Sequence, residues 1–326
     1  MRGSIPSKCF IMKIRPGLSD VLWMAVGAAA LLVLMLVTFH FRGAHDPDAQ
    51  LAFKARRVDL VGRMQLDLAS ASEAEKSAVL AVTDQDSQTF ADQARAASGK
   101  VEQERRELGE LLTEGGTQGE RDLLAQVTAA FAEYQRVDND LLALAVKNTN
   151  VKAYNLAFGP AATAVDEMTS ALTRLMALVA ANGGSSEAKA MMPLAFGAEV
   201  GALRIQTLLP PHIAEESDQK MDAMEALMAT EDTQVRKSLD GLAALPGLGK
   251  ETDLATAKAR YAEFSNIRTQ ILALSRENTN VRSLSISLNQ KRKVMLLCQA
   301  ALSDLQQAIL AEPIAGSTYG TPVRPR

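Results

Sequence analysis

Asn148-Thr149-Asn150-Val151 recurs 130 residues further on as Asn278-Thr279-Asn280-Val281, and this repeated turn decides how the chain is read. The same offset relates Phe131-Ala132-Glu133-Tyr134 to Tyr261-Ala262-Glu263-Phe264, and Leu142-Ala143-Leu144 to Leu272-Ala273-Leu274. Nine of the 21 positions from 131 to 151 are identical in the second copy. One shared offset over that length implies duplication of a whole structural module.

The apolar spacing says what the module is. After the first Asn-Thr-Asn turn, Val151, Tyr154, Phe158, Ala161, Val165, Met168, Leu172, Leu175 and Val179 alternate by three and four residues. The second copy reads Val281, Leu284, Leu288, Lys291, Met295, Cys298, Leu302, Leu305 and Ile309. Such alternation is the seam of a helix in a coiled-coil-like bundle. Ala, Leu, Glu, Gln, Lys, Arg and Met dominate from residue 50 onward, the composition of long helices.

Punctuation sets the boundaries. Gly115-Gly116 ends a helix, and Thr117 to Glu120 form a capping box for the next. Asp84-Gln85-Asp86-Ser87, Pro210-Pro211 with the polar run to Ser217, and Pro246-Gly247-Leu248-Gly249 mark further breaks, Gly159-Pro160 predicts a kink, and Asn150 and Asn280 are expected N-caps. The fold class is therefore all-α: an N-terminal transmembrane helix followed by two tandem up-down four-helix bundles. Its expected parts are a cytoplasmic N-terminus (1–20), a transmembrane anchor (21–41), module one (51–182), module two (187–311) and a disordered tail (312–326).

The anchor rests on Val21 to Phe39, 19 residues without a charged side chain, nearly enough to cross a hydrocarbon core of about 30 Å. Trp23 and Phe39-His40-Phe41 suit the two interfaces. Arg2, Lys8, Lys13 and Arg15 outnumber Arg42 and Lys54 on the far side, which places the N-terminus inside. The expected location is the bacterial inner membrane, single-pass, with the bundles outside the cytoplasm. A cleaved signal peptide is the competing reading, and Phe41-Arg42-Gly43-Ala44 fits its cleavage site poorly.

The chemistry is sparse. A net charge of −3 and few aromatics (one Trp, four Tyr, nine Phe) give no footprint for nucleic acid. Cys9 and Cys298 fall on opposite sides of the membrane in this topology and make no metal cluster. No nucleophile–base pair, Gly-rich phosphate loop or metal-ligand spacing stands out, so the chain reads as non-enzymatic, without cofactor or metal. The candidate ligand contacts are Asn148, Asn150, Asn278 and Asn280 at the repeated turns. Lys291 joins them, because it takes a seam position that is Ala161 in the other copy.

Several stretches resemble the four-helix-bundle ligand-binding domains of bacterial methyl-accepting chemotaxis receptors and related sensor kinases. In copy two these are His212-Ile213-Ala214-Glu215, Met221 to Leu227, Ser275 to Leu284, and a helix from Lys291-Arg292-Lys293; in copy one, Arg63 to Asp67 and Lys147 to Leu156. The resemblance covers about residues 20 to 310. It implies a sensory or ligand-binding protein in signal transduction, with a small solute as ligand. Members of that family continue into a second span, a HAMP linker and a methyl-accepting hairpin, none of which is read here. The expected partners are therefore the membrane, a second copy of the chain, or a separate membrane signalling protein. Receptors of the family that use first-helix arginines set a pattern which Arg56, Arg57 and Arg63 do not match. A ligand-free membrane-tethered scaffold and a truncated chemoreceptor are the alternatives.

Overall fold

The computed structural model describes residues 47–182 and 185–314, together with Met35. The expected cytoplasmic segment, the anchor at 21–41 and the tail beyond 314 lie outside the described residues. Among those described, all regular structure is helical, as the sequence predicts. α1 is Pro47–Leu80, α2 Asp84–Gly115 and α3 Gln118–Ala145. α4 runs 149–182 as Thr149–Leu156, a π turn Ala157–Ala161, and Ala162–Asn182. α5 is Ser185–Ala214, α6 Asp218–Ala244 and α7 Thr252–Glu277. α8 runs 279–311 as Thr279–Ile286, a π turn Ser287–Lys291, and Arg292–Ala311.

Local chemistry places most of the ends. Thr117 accepts from the backbone N–H of Glu120 while the Glu120 carboxylate accepts from that of Thr117, the expected capping box. Thr83 caps α2 by accepting from the Asp86 N–H, so that helix begins at Asp84, inside the stretch read as a break. In the turn after α6, Gly247 adopts φ of 81° ahead of the short Leu248–Lys250 helical turn, a conformation that favours glycine. Pro210-Pro211 lie inside the last turns of α5, and the expected break falls in the polar run after them, between Ala214 and the α6 start at Asp218.

Contacts divide the chain into two units. In the unit made of 1–59 and 307–326, the Lys54 ammonium donates to the carbonyls of Leu310 and Glu312 at 2.7 and 2.6 Å. Arg57 pairs with Glu312 at 2.5 Å and lies over the Phe53 ring.

The unit from Leu60 to Gln306 holds two helical cores, and the helices are not shared out in chain order. α4 packs on α5 and α7, not within the first repeat. Its Val165, Met168, Leu172 and Leu175 join Ala198 and Ile205 of α5, Val235 of α6 and Phe264 of α7 in one cluster. α8 packs on α3, with Ile286 against Ala78, Ala91, Leu141 and Leu142. The repeats have thus exchanged their fourth helices. Core one is α1–α3 with α8, and core two is α4–α7, whereas the modules expected at 51–182 and 187–311 each keep their own. Within core two α5 and α6 approach closely, because a Cβ on Gly201 would lie 2.6 Å from Val235.

The seam of each fourth helix also differs from the sequence reading. Phe158 is 68 % exposed and Leu288 61 %, while Ala153, Ala157, Ser283 and Ser287 are buried. A π turn adds one residue to the helical cycle, so the apolar face that is correct after Ala161 and Lys291 is rotated by about one position before them. The π turns sit 130 residues apart, at Ala157–Ala161 and Ser287–Lys291. Only the first contains a proline, so Pro160 does not cause them; they belong to the module.

One described helical stretch, Thr252–Ala311, is long and apolar enough to cross a membrane by length and composition. It comprises α7 and α8, which carry the seam residues Tyr261, Phe264, Ile271 and Leu302 and the buried Lys291.

Candidate functional site

The two Asn-Thr-Asn turns meet where the fourth helices cross over. Asn148 and Asn278 adopt left-handed φ values of 51° and 53°, which asparagine tolerates better than other residues with a Cβ. The backbone N–H of Thr149 donates to the Thr279 hydroxyl at 3.2 Å, and that of Thr279 to the Thr149 hydroxyl at 3.1 Å. The N–H of Asn150 donates to Asn280 Oδ1, and the N–H of Asn280 to Asn150 Oδ1, both at 3.1 Å. Asn150 and Asn280 therefore do cap helices, but each caps the other's, and by position the N-caps are Asn148 and Asn278.

The remaining amide groups tie this joint to its surroundings. Asn150 Nδ2 donates to Asn278 Oδ1 and the Ile213 carbonyl, and Asn280 Nδ2 to Asn148 Oδ1. Asn148 Nδ2 donates to Ser87, and Asn278 Nδ2 to the Glu215 carbonyl. All four candidate asparagines are brought together, and their side chains are spent on this lattice. Replacing Asn150 and Asn280 together by Ala is expected to cost about 1 kcal/mol for each lost cap. Denaturant unfolding of the single and double variants measures this.

Lys291 lies elsewhere, inside core one and 2 % exposed. Its ammonium bonds to Asp138 and sits 3.4 Å from the centroid of the Tyr134 ring. Glu75 is fully buried beside them, and neither of its carboxylate oxygens accepts a hydrogen bond. Burial pushes Glu75 above the usual carboxyl range, against the pull of Ser287 and Lys291. Burial draws Lys291 down, opposed by Asp138 and Glu75, and lifts the Cys298 thiol to about 11. Burial thus favours the neutral form of Glu75, while the Lys291 ammonium is paired with Asp138 in the dry interior. Glu75 and Asp138 were missed in the sequence because each sits among apolar seam residues. Extending the α1 seam Leu60, Met64, Leu68 by helical spacing reaches Glu75.

The repeat shows how specific this cluster is. The positions 130 residues from Glu75, Asp138 and Tyr134 are Ile205, Arg268 and Phe264, and the position 130 before Lys291 is Ala161. Had each fourth helix stayed in its own repeat, Lys291 would stand where Ala161 stands, in a core that offers Ile205, Phe264 and an Arg268 whose charge is already paired with Asp232. Ala161 would leave Asp138 and Glu75 without an ammonium. The charges thus match only in the exchanged arrangement, and a buried charge deprived of its partner costs about 3–5 kcal/mol.

Core two carries its own polar clamp near the joint. His212 is fully buried, with Nδ1 2.8 Å from the Ser275 hydroxyl and Nε2 2.9 Å from Glu225 Oε1. Arg276 donates to the same Glu225 oxygen at 2.7 Å and also pairs with Asp222. Arg276, and then His212, hold the Glu225 carboxyl below its ordinary pKa. Together these groups fasten α5, α6 and α7. They explain why a histidine and a Ser-Arg pair stand in the stretches that carry the resemblance.

Residues 63–191 match the family model described as a four helix bundle sensory module for signal transduction, which supports a sensor role. No curated protein matches the chain. The matched interval runs in chain order from within α1 to the start of α5. It therefore takes in three helices of core one and the helix that core one gives away.

Proposed function

We propose that the chain is a membrane-anchored, extracytoplasmic sensor that binds a small solute and signals through a second copy or a partner membrane protein. The observation that carries the reading is the match of residues 63–191 to a sensory module. Physical support comes from the exchange. Because each core contains a helix from the other repeat, strain in one is passed through the Asn-Thr-Asn joint to the other. Asn148, Asn150, Asn278, Asn280 and Lys291, expected as ligand contacts, enter this reading as joint and lock whose order a bound solute would alter. The span at 21–41 holds the cores at the membrane surface, where a partner can read them.

The test is thermal unfolding of the full chain against amino acids, organic acids and aromatic compounds. Binding to the native state alone at about a hundredfold excess over Kd adds roughly 2.7 kcal/mol, a shift of several degrees for at least one solute. A flat response across the panel would favour a ligand-free tethered scaffold. That second reading draws on the joint, whose side-chain amides are all engaged with protein groups. Resistance of the chain to alkaline extraction from membranes tests the anchor independently.

A further inference from the structure

The π turn in α8 has a consequence for the surface of core one. By turning Ser283 and Ser287 inward it leaves Leu284 and Leu288 outside, facing Val79 and Leu80 of α1 across a half-open groove of about 390 Å³. Ser287 lies in its lining, and two cations stand at it, Lys76 on α1 and Arg292 on α8. Neither cation lies within ion-pair distance of a carboxylate among the described residues, and the only carboxyl that feels Lys76 there is the buried Glu75, whose burial favours its neutral form. Apolar walls with two unmatched positive groups fit one kind of occupant, an anion carried on an apolar body.

Core two provides an internal comparison. There Leu284 is replaced by Tyr154, whose hydroxyl donates to the Pro210 carbonyl at 3.3 Å and whose ring stacks on Phe158 with centroids 6.0 Å apart. Pro210 is the counterpart of Leu80, so the tyrosine reaches across the position the groove occupies in core one. The counterparts of Lys76 and Arg292 are Gln206 and Ala162. Core two has therefore closed this position with an aromatic ring and carries no charge there, while core one has kept it open and supplied two cations.

We propose that the α1–α8 groove of core one is a binding site for a small carboxylate with an apolar body, held by Lys76 and Arg292 against Val79, Leu80, Leu284 and Leu288. Arg292 supplies a planar pair of N–H donors suited to a carboxylate, and Lys76 a second positive charge. Ser287 and Arg292 line the groove on the same stretch of α8 that carries the buried Lys291. An anion in the groove thus bears on the same helix that carries the exchange lock. The inference deepens the sensor reading by naming the solute class and the place it occupies.

The experiment is calorimetric titration of the full chain in nanodiscs with cyclohexanecarboxylate, and with cyclohexanecarboxamide as the neutral isostere. Carboxylate binding is expected, with the amide about tenfold weaker or more, as for loss of a charge-assisted hydrogen bond. Arg292→Gln and Lys76→Gln should each weaken the carboxylate about tenfold and leave the amide unchanged. Leu284→Tyr, which copies the twin position, should abolish binding with an unchanged unfolding temperature, so that a lost signal cannot be ascribed to misfolding. Equal affinity for the amide, carboxylate binding indifferent to Leu284→Tyr and Arg292→Gln, or no heat at millimolar carboxylate would each overturn the site. If the groove is silent while another solute raises the melting temperature, this site falls and the sensor reading stands.

Discussion

Expressed alone, residues 149–277 are expected to fold as a cooperative helical bundle, while residues 187–311, the segment that follows the sequence repeat, are expected to remain largely unfolded. The first fragment contains all four helices of core two in one continuous piece, including Val165, Met168, Leu172 and Leu175 of α4 buried against α5 and α7. The second lacks α4 and must use α8 in its place. That substitution puts Lys291 at the position of Ala161, near Arg268 and away from Asp138. An uncompensated buried charge of about 3–5 kcal/mol is a large part of the 5–15 kcal/mol that roughly measures a domain's whole stability. Circular dichroism and urea unfolding of the two fragments decide the matter. Lys291→Ala in the 187–311 fragment should recover folding, since it restores the residue that core two accepts. Equal stability of the two unmodified fragments would mean that the repeats do not need to exchange.

In the full chain, Lys291→Ala is expected to be the most damaging single change in core one, costing about 3–5 kcal/mol, because it leaves Asp138 buried without its ammonium. Joint replacement of Glu75, Asp138 and Lys291 by Ile, Asn and Met should recover most of that loss, since apolar packing is often as stabilising as a buried ion pair. Chemical denaturation of both variants reads the difference. Recovery in the triple variant separates a charge effect from simple loss of packing volume.

Acidity provides an independent view of the same cluster. Glu75 is a carboxyl whose folded-state pKa is raised above its ordinary 4.5 by burial, so the native state holds that proton more tightly than the unfolded chain does. Its contribution is fully present below pH 4.5 and is lost as pH rises through the folded value. Glu75→Gln should flatten stability across that interval. Glu102 behaves in the opposite sense. Hydrogen bonds from Arg105 and Arg106 hold it at about 2, so its contribution is present above pH 4.5 and is lost as pH falls towards 2. Unfolding curves of wild type, Glu75→Gln and Glu102→Gln over this range should therefore diverge in opposite directions.

Much of the helical framework was legible locally. The Thr117–Glu120 box, the Gly115-Gly116 stop and the Pro246-Gly247 turn are contacts between near neighbours, and each bounds a helix at or close to its expected place. The deep positions Ala161, Val165, Met168, Leu172 and Leu175 followed from spacing alone and are buried. Phe158 and Leu288 did not follow. A π turn leaves no apolar mark in the sequence, yet it rotates everything before it by about one residue. Of the candidate site, Lys291 was visible as a charge on an apolar seam. Its partners Glu75 and Asp138 were not, because they come from two other helices.

The sequence by itself determined that this is a duplicated helical module, because a 130-residue repeat and a three–four apolar alternation are written along the chain. Which core each fourth helix enters was decided only by the tertiary structure. α4 and α8 carry nearly the same seam and would fit either core by hydrophobic pattern. What separates them is where distant charges meet: Lys291 reaches Asp138 and Glu75 in one core and would face Arg268 in the other. A single strand of text does not reveal a pairing that exists only between helices brought together from far apart.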